Sequence, residues 1–153
     1  MATWNEFETD APDIAEAGKK LLYQRGVGLA FLATLRKDGA PRLHPICPTV
    51  VDGRLYALIG PSPKRGDLKR DGRYALHTFP ADDVDDEFLV MGRAVFIESE
   101  AIGEKVRSDC VSRGMTSTGD DLPFEFRIES VMHAKYPGGH GTWPPKYSIW
   151  KSR

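Results

Sequence analysis

Two Asp-Gly dipeptides, Asp38-Gly39 and Asp52-Gly53, constrain the fold of this chain more than any other feature of its sequence. Each lies between apolar, strand-like segments. Asp-Gly in that setting is a strong hairpin signal, because glycine adopts a positive φ without a Cβ clash. Residues 29–70 are therefore predicted to form three strands joined by two tight turns, followed by a short amphipathic helix.

Polar residues capable of binding an anion follow these strands. Arg42 opens the middle strand, and Ser62 and Lys64 come directly after the third. If the three strands pair as a meander, a guanidinium, a hydroxyl and an ammonium meet at one end of the sheet. Such a set suits a phosphate monoester, because charged donors bond strongly to phosphate oxygens. Exposed Arg and Lys beside turns are usually only solvated, so neither cation alone would justify this assignment.

The rest of the chain adds strands and peripheral helices. Periodicity predicts helices at residues 11–25, capped by Asp10, and at 100–113. Strands are predicted at residues 28–35, 73–79, 88–98, 124–131 and 147–150, with an acidic, solvated connection at 81–87. Pro45 and Pro48 indicate an edge or a bend, because proline cannot donate to a strand ladder, and Gly92 indicates a bulge. The expectation is one mainly β domain, residues 1–153, with about six antiparallel strands forming a barrel and two or three helices.

Composition excludes several classes of function. The formal net charge of −1 predicts no general attraction to nucleic acid or an anionic membrane. Cys47 and Cys110 are too far apart for a zinc knuckle or a redox pair, and His133 and His140 match no metal-binding spacing. Free thiols and the absence of a long apolar run predict a soluble cytoplasmic protein without a metal site.

Residues 11–97 resemble the FMN-binding split β-barrel proteins related to pyridoxamine 5′-phosphate oxidase, and the alignment from Arg42 to Lys64 needs no gap. The resemblance implies that Arg42, Ser62 and Lys64 hold the FMN phosphate, with Arg65 as a further candidate. It implies that main chain from two segments lines the isoalloxazine ring, namely Arg42, Leu43, His44, Pro45 and Ile46, and Ala57, Leu58 and Ile59. The His44 imidazole either donates to a flavin carbonyl or substrate, or is a structural strand histidine.

The sequence departs from the true oxidases at residues of both sites, so that the flavin site is predicted to be partly kept and the substrate site to be lost. Cys47 stands where they have a lysine, Pro63 where they have a basic residue, and Glu87 where they have a flavin-contacting glutamine. Their C-terminal Arg-x-His motif is not recognisable here. Oxidation of pyridoxamine phosphate is therefore not expected.

The resemblance also implies a homodimer with the flavin at its interface, where Trp143 or Lys146 of the partner closes the site. The sequence is thus interpreted as an FMN-dependent oxidoreductase acting on an unidentified small molecule. The cofactor carries the chemistry, so no side chain is assigned as catalytic. Two alternatives stay open. One is an oxidoreductase of the same fold that uses the deazaflavin F420, whose acidic tail Arg65, Lys69 and Arg70 would serve. The other is a non-catalytic module that binds flavin or haem.

Overall fold

The computed structural model describes residues 1–153 and contains four helices and eight strands. In chain order they are α1 Trp4–Asp10, α2 Pro12–Leu22, β1 Ala30–Leu35, β2 Pro41–Ile46, β3 Pro48–Val51, β4 Arg54–Ile59, α3 Pro63–Arg70, β5 Arg73–Thr78, β6 Glu87–Phe96, α4 Glu100–Ser112, β7 Leu122–Lys135 and β8 Lys146–Lys151. None of the helices has the length and apolar character needed to cross a lipid bilayer.

All eight strands belong to one antiparallel sheet. Its order is β2-β1-β5-β6-β7-β4-β3, and β8 pairs with the part of β7 that extends beyond β4. The two end strands, β2 and β3, are consecutive in the chain and separated by Cys47 alone. The sheet must therefore curl until its ends meet, which produces a half-barrel. The prediction of a mainly β, split-barrel fold is confirmed.

The two predicted hairpins form, but the three segments do not make one continuous meander. The middle segment breaks at Cys47, so that β2 pairs only with β1 while β3 pairs only with β4. Pro45 and Pro48 explain the break, because they lie on either side of Cys47 and neither has a main-chain N–H to donate to a neighbouring strand. This division adds one strand to those predicted, and β8 is the strand predicted at residues 147–150, so the sheet has eight strands instead of about six.

Both predicted turns are confirmed. Asp52 and Gly53 have φ values of 48° and 71° and connect β3 to β4, as a tight hairpin turn with two left-handed residues requires. Gly39, at φ 85°, turns the chain between β1 and β2. The bulge predicted at Gly92 is also present, since the pairing of β6 with β7 shifts register between Met91 and Gly92.

The main core lies between the concave face of the sheet and the two N-terminal helices. Trp4 and Phe7 of α1 are fully buried, with ring centroids 5.3 Å apart, and Phe7 also packs against Trp150 of β8 at 5.1 Å. The sequence analysis missed α1 and assigned Asp10 as the cap of the following helix. Asp10 is instead the last residue of α1, and α2 starts at Pro12 without a side-chain cap.

Strand β7 is longer than predicted, and its first half is buried on both faces. The alternation of Phe124, Phe126 and Ile128 with Glu125, Arg127 and Glu129 predicts a half-exposed strand, but the Glu125 side chain is buried. Its carboxylate accepts a hydrogen bond from Arg54 at 2.6 Å, which compensates for the buried charge. Helix α4 covers this region, because Val106 and Cys110 pack against Tyr56 and Leu58 in a second small core.

Candidate functional site

Strand β2 places Arg42 and His44 on the inner face of the sheet. Arg42 lies opposite Thr34 and His44 lies opposite Leu32, and both of these β1 residues are buried. Leu43 and Pro45 point to the outer face, because successive residues of a strand alternate. The two-residue spacing of Arg42 and His44 predicts that they share one face of a regular strand, and this register confirms it.

A buried carboxylate on α3 fixes Arg42. Asp67 accepts a hydrogen bond from Arg42 Nε at 2.7 Å, one from Thr34 Oγ1 at 3.0 Å, and weaker ones from Arg70 at 3.3 Å. Burial by itself would raise the pKa of Asp67, but these hydrogen bonds outweigh it and hold the pKa below its usual value. Asp67 was missed by the sequence analysis. The available signal was a single acid among the basic residues of an amphipathic segment, three positions after Lys64.

Lys64, in the first turn of α3, is half-buried. Burial lowers the pKa of its ammonium, and no carboxylate or hydrogen-bond partner offsets that effect. A partly desolvated cation without a counter-charge is unfavourable, so this ammonium is available to an anionic ligand.

The two other predicted phosphate contacts already have partners within the chain. The Ser62 hydroxyl lies at the N-cap position of α3 and donates to the carbonyl of Gly60 at 3.0 Å. The Arg65 guanidinium donates to the carbonyl of Ile59 at 2.8 and 3.0 Å and also to the carbonyl of Asp120. Arg65 therefore fixes the end of β4 and the loop before β7.

His44 lies in the electrostatic field of these groups. Burial lowers the pKa of its imidazole, and the positive charges of Lys64 and Arg42 lower it further, against the opposing charge of Asp67. Its Nε2 atom is buried and makes no hydrogen bond. The charges of Arg42 and Lys64 thus both act on His44, and we call these three residues, on β2 and at the start of α3, the cluster.

Backbone groups are free beside this cluster. The edge of β2 that faces away from β1 pairs with no strand. Ala57 is the last β4 residue paired with β3, so Leu58 and Ile59 have a strand partner only on the β7 side. The side chains of Ala57, Leu58 and Ile59 are buried, which leaves their main chain as the part available to a ligand. The break at Cys47 therefore leaves a gap in the strand pairing between the edge of β2 and the end of β4.

A polar cleft of about 500 Å³ adjoins Arg42 on the side of the β1–β2 turn. Its charged lining consists of Arg36, Lys37, Arg42, Arg70, Asp38 and Asp67. Both carboxylates are already engaged, Asp67 by the contacts above and Asp38 by Arg36 at 3.5 Å. The cleft is therefore electropositive on balance.

The outer face of the sheet carries an apolar row, which we define as Pro45, Phe31, Leu89, Met132 and Ile149. These residues follow one line of cross-strand pairs, interrupted at β5 by His77. Ile149 is 64% exposed, and Leu43, beside the row on β2, is 65% exposed. An exposed apolar surface of this extent on a sheet face is typical of an interaction surface.

The acidic connection is not the solvated loop that was predicted. The His140 Nδ1 lies 2.7 Å from Asp85 Oδ1, and its Nε2 lies 2.9 Å from the carbonyl of Asp82. The hydrogen bond to Asp85 and the Asp82 carbonyl raise the pKa of His140. The main-chain N–H of Tyr136 donates to Asp86 at 2.8 Å. The acidic residues thus hold the segment that leads to β8.

The remaining C-terminal predictions are placed as follows. Trp143 is 73% exposed, and Lys146 is the exposed first residue of β8. Glu87 lies on β6, where its carboxylate accepts from Tyr136 Oη at 3.2 Å and lies 3.3 Å from His77 Nε2. None of these side chains contacts the cluster of Arg42, His44 and Lys64 within one chain. Their role in closing the site stays a prediction.

No protein-family model matches this chain, and no curated protein matches it. Solved structures do. A putative pyridoxamine 5′-phosphate oxidase from Listeria innocua is 17% identical, with a TM-score of 0.61 over 76% of this chain and 94% of its own. General stress protein 26 from Bacillus anthracis is 16% identical, with a TM-score of 0.61 over 87% and 95%. The fold is the split β-barrel of the pyridoxamine 5′-phosphate oxidase-like proteins. A heme binding protein from Mycobacterium smegmatis is also similar, at 16% identity and a TM-score of 0.63, over 88% of this chain and 57% of its own.

Proposed function

We propose that the protein binds FMN non-covalently and acts as an oxidoreductase on a small molecule other than pyridoxamine phosphate. The observation that carries the proposal is the half-buried Lys64 ammonium, which has no hydrogen-bond or ion-pair partner. Its positive charge and that of Arg42 both lower the pKa of His44. A phosphate between the two cations supplies the missing counter-charge.

The residues present fit a phosphate group. Asp67 bonds to the Nε of Arg42, and the two terminal nitrogens of that guanidinium make no hydrogen bond within the chain. The start of α3 adds the positive end of a helix dipole, although Pro63 has no main-chain N–H and that of Arg65 donates to the Ser62 carbonyl at 3.0 Å. In this proposal the Ser62 hydroxyl exchanges its bond to Gly60 for one to the phosphate. Arg65 supports the site by holding the end of β4 in place.

The gap between β2 and β4 fits the ring system. The unpaired edge of Arg42, Leu43, His44, Pro45 and Ile46 offers main-chain donors and acceptors to the polar rim of an isoalloxazine ring, and the end of β4 offers those of Ala57, Leu58 and Ile59. When bound, FMN supplies hydride or electron transfer, so the chain need only orient the ring and exclude water. No catalytic side chain is assigned.

We propose further that the active form is a homodimer joined through the apolar row. Strand β2 contributes to both the site and the proposed interface. Arg42 and His44 point to the inner face, whereas Leu43 and Pro45 point to the outer surface. A second copy covering that surface therefore lies next to the flavin edge. This arrangement also gives the partner's Trp143 or the partner's Lys146 a route to the site.

A second candidate is an F420-dependent oxidoreductase. The specific observation in its favour is the electropositive cleft beside Arg42, which suits a cofactor with several negative charges beyond the first phosphate. Arg70, one of the three residues considered for the acidic tail, lines that cleft, but Lys69 lies over the Phe96 ring at 4.9 Å. Comparing the affinities for FMN and F420 decides between the candidates.

The test is a fluorescence titration of FMN and riboflavin into apoprotein and into Lys64→Ala. A hydrogen bond to a charged group contributes about 1.5–3 kcal/mol, so FMN binding should weaken roughly ten- to a hundredfold. Riboflavin lacks the phosphate and should bind weakly to both proteins, with little difference between them. Lys69→Ala removes an ammonium from the same helix and should leave FMN affinity unchanged. Equal FMN affinity in the parent and Lys64→Ala would show that this is not the phosphate site.

A further inference from the structure

We infer that an anion bound between Arg42 and Lys64 brings a proton to His44, so that ligand binding at this site is coupled to proton uptake. The inference rests on the phosphate site proposed above, and it adds His44 to Arg42 and Lys64. The ligand class is a phosphate monoester or a similar dianion. The proton comes from the bulk buffer and ends on an imidazole nitrogen, and no other bond is made or broken.

The geometry of β2 places His44 where it must respond to such an anion. His44 is two residues from Arg42 on the same face of a regular strand, and its imidazole lies within the electrostatic reach of the Lys64 ammonium in the first turn of α3. The β1 residues opposite this part of β2, Leu32 and Thr34, carry no charge. Nothing on β1 therefore shields the imidazole from the ligand or competes with it.

Without an anion, the surroundings of His44 favour the neutral imidazole over the imidazolium. Its Nε2 is buried without a partner, so an imidazolium would leave a charged N–H unsatisfied. The charged groups that face it are Lys64, Arg42 and Asp67, of which two are positive, and together with burial they lower its pKa. Burial first, and then the same cations that attract the ligand, thus lower the pKa of the ring.

A bound phosphate reverses this balance. It brings a charge of about −1.5 to −2 into the cluster, which more than neutralises the excess positive charge around the ring. An opposite charge within about 4–6 Å raises the pKa of a histidine by roughly one to three units. Between the free and the bound pKa, phosphate affinity should therefore fall as pH rises, by up to about tenfold per pH unit.

The phosphate's own second ionisation, near pH 6, has the opposite effect on affinity, so a variant without the imidazole is needed as a reference. His44→Gln keeps a neutral polar side chain on the strand and removes the titration. Isothermal calorimetry of FMN binding at pH 7, in two buffers with different ionisation heats, measures the protons taken up. We expect the parent to take up more protons per site than His44→Gln, and equal uptake would overturn the inference.

Nuclear magnetic resonance of isotopically labelled histidine separates this inference from the proposed function, with inorganic phosphate as the probe. The titration midpoint of His44 should rise by at least about one pH unit when phosphate is added. That of His133, a half-buried histidine of β7 whose pKa is also lowered by burial, should not move. Lys64→Ala should reduce the rise at His44.

The outcomes are distinguishable. If phosphate moves the His44 midpoint but FMN does not bind, the coupling stands and the flavin proposal fails. If FMN binds in a Lys64-dependent manner while the His44 midpoint stays fixed, the flavin proposal stands and the coupling is wrong. The coupling is also overturned if the His44 midpoint does not change at any phosphate concentration, or if the midpoints of His44 and His133 rise equally.

Discussion

Replacing Asp67 by Asn tests whether the buried carboxylate organises this end of the fold. Its side chain is only 5% exposed, and it accepts from Thr34, Arg42 and Arg70 at 3.0, 2.7 and 3.3 Å. Asn keeps the volume and one acceptor oxygen but loses the charge. The substitution therefore isolates the electrostatic part of the network.

The size of the expected stability loss depends on how far each hydrogen-bond partner of Asp67 is exposed to solvent. Thr34 is buried, and its bond to a charged acceptor contributes about 1.5–3 kcal/mol. Arg42 is 27% exposed and loses part of a buried ion pair, whereas Arg70, at 39%, contributes little because solvent screens it. Breaking a fully buried pair costs about 3–5 kcal/mol, so we expect a loss of about 3 kcal/mol at neutral pH.

Urea denaturation followed by circular dichroism measures this loss, and its pH dependence provides a second check. The pKa of Asp67 is held below its ordinary value, so the stabilisation is complete above the unfolded-state pKa of about 3.9. It is lost as pH falls through the folded-state pKa, and the difference between parent and variant should shrink in acid. The exposed pair of Arg25 and Asp82 is the matched control, since Asp82→Asn should cost at most about 0.5 kcal/mol. An Asp67→Asn cost as small as that, or one that grows in acid, would refute the reasoning.

Three further predictions concern the bulge, the outer face and the substrate. Gly92→Ala places a Cβ 2.0 Å from the carbonyl oxygen of Arg127 and should destabilise the protein by about 2 kcal/mol in the same urea assay; an unchanged midpoint would contradict the close approach. Leu43→Glu with Ile149→Glu should convert a dimer to a folded monomer in analytical ultracentrifugation, and a parent that is already monomeric would rule out the proposed interface. Purified protein should form no appreciable hydrogen peroxide from pyridoxamine or pyridoxine phosphate, and robust turnover of either would refute the prediction that the oxidase substrate site is lost.

Local chemistry made much of the fold predictable from the sequence. The Asp-Gly turns, the bulge at Gly92 and the edge character of the segment with Pro45 and Pro48 each depend on one or two residues and their immediate neighbours. What was not predicted was that the middle segment divides into two strands. The bend at Cys47 sends β2 and β3 to opposite ends of the sheet, which is decided by closure of the half-barrel rather than by the turns.

The candidate site shows the same division. Arg42 and Lys64 were identified by residue type and by resemblance, and the alternation of a strand was sufficient to place His44 beside Arg42. Asp67 and Glu125 were missed or misplaced because a carboxylate is buried only where tertiary structure supplies its partners. The engagement of Arg65 with main-chain carbonyls likewise depends on where the loop before β7 lies.

The identity of the small molecule released from the purified protein tests the central claim most directly. The protein, reconstituted with a mixture of FMN, riboflavin, F420 and haem and then freed of unbound ligand, is denatured and its supernatant examined by absorption and mass spectrometry. The account predicts a flavin spectrum and the mass of FMN, with riboflavin excluded for lack of a phosphate. Recovery of haem, of riboflavin in equal amount, or of no cofactor at all would contradict it.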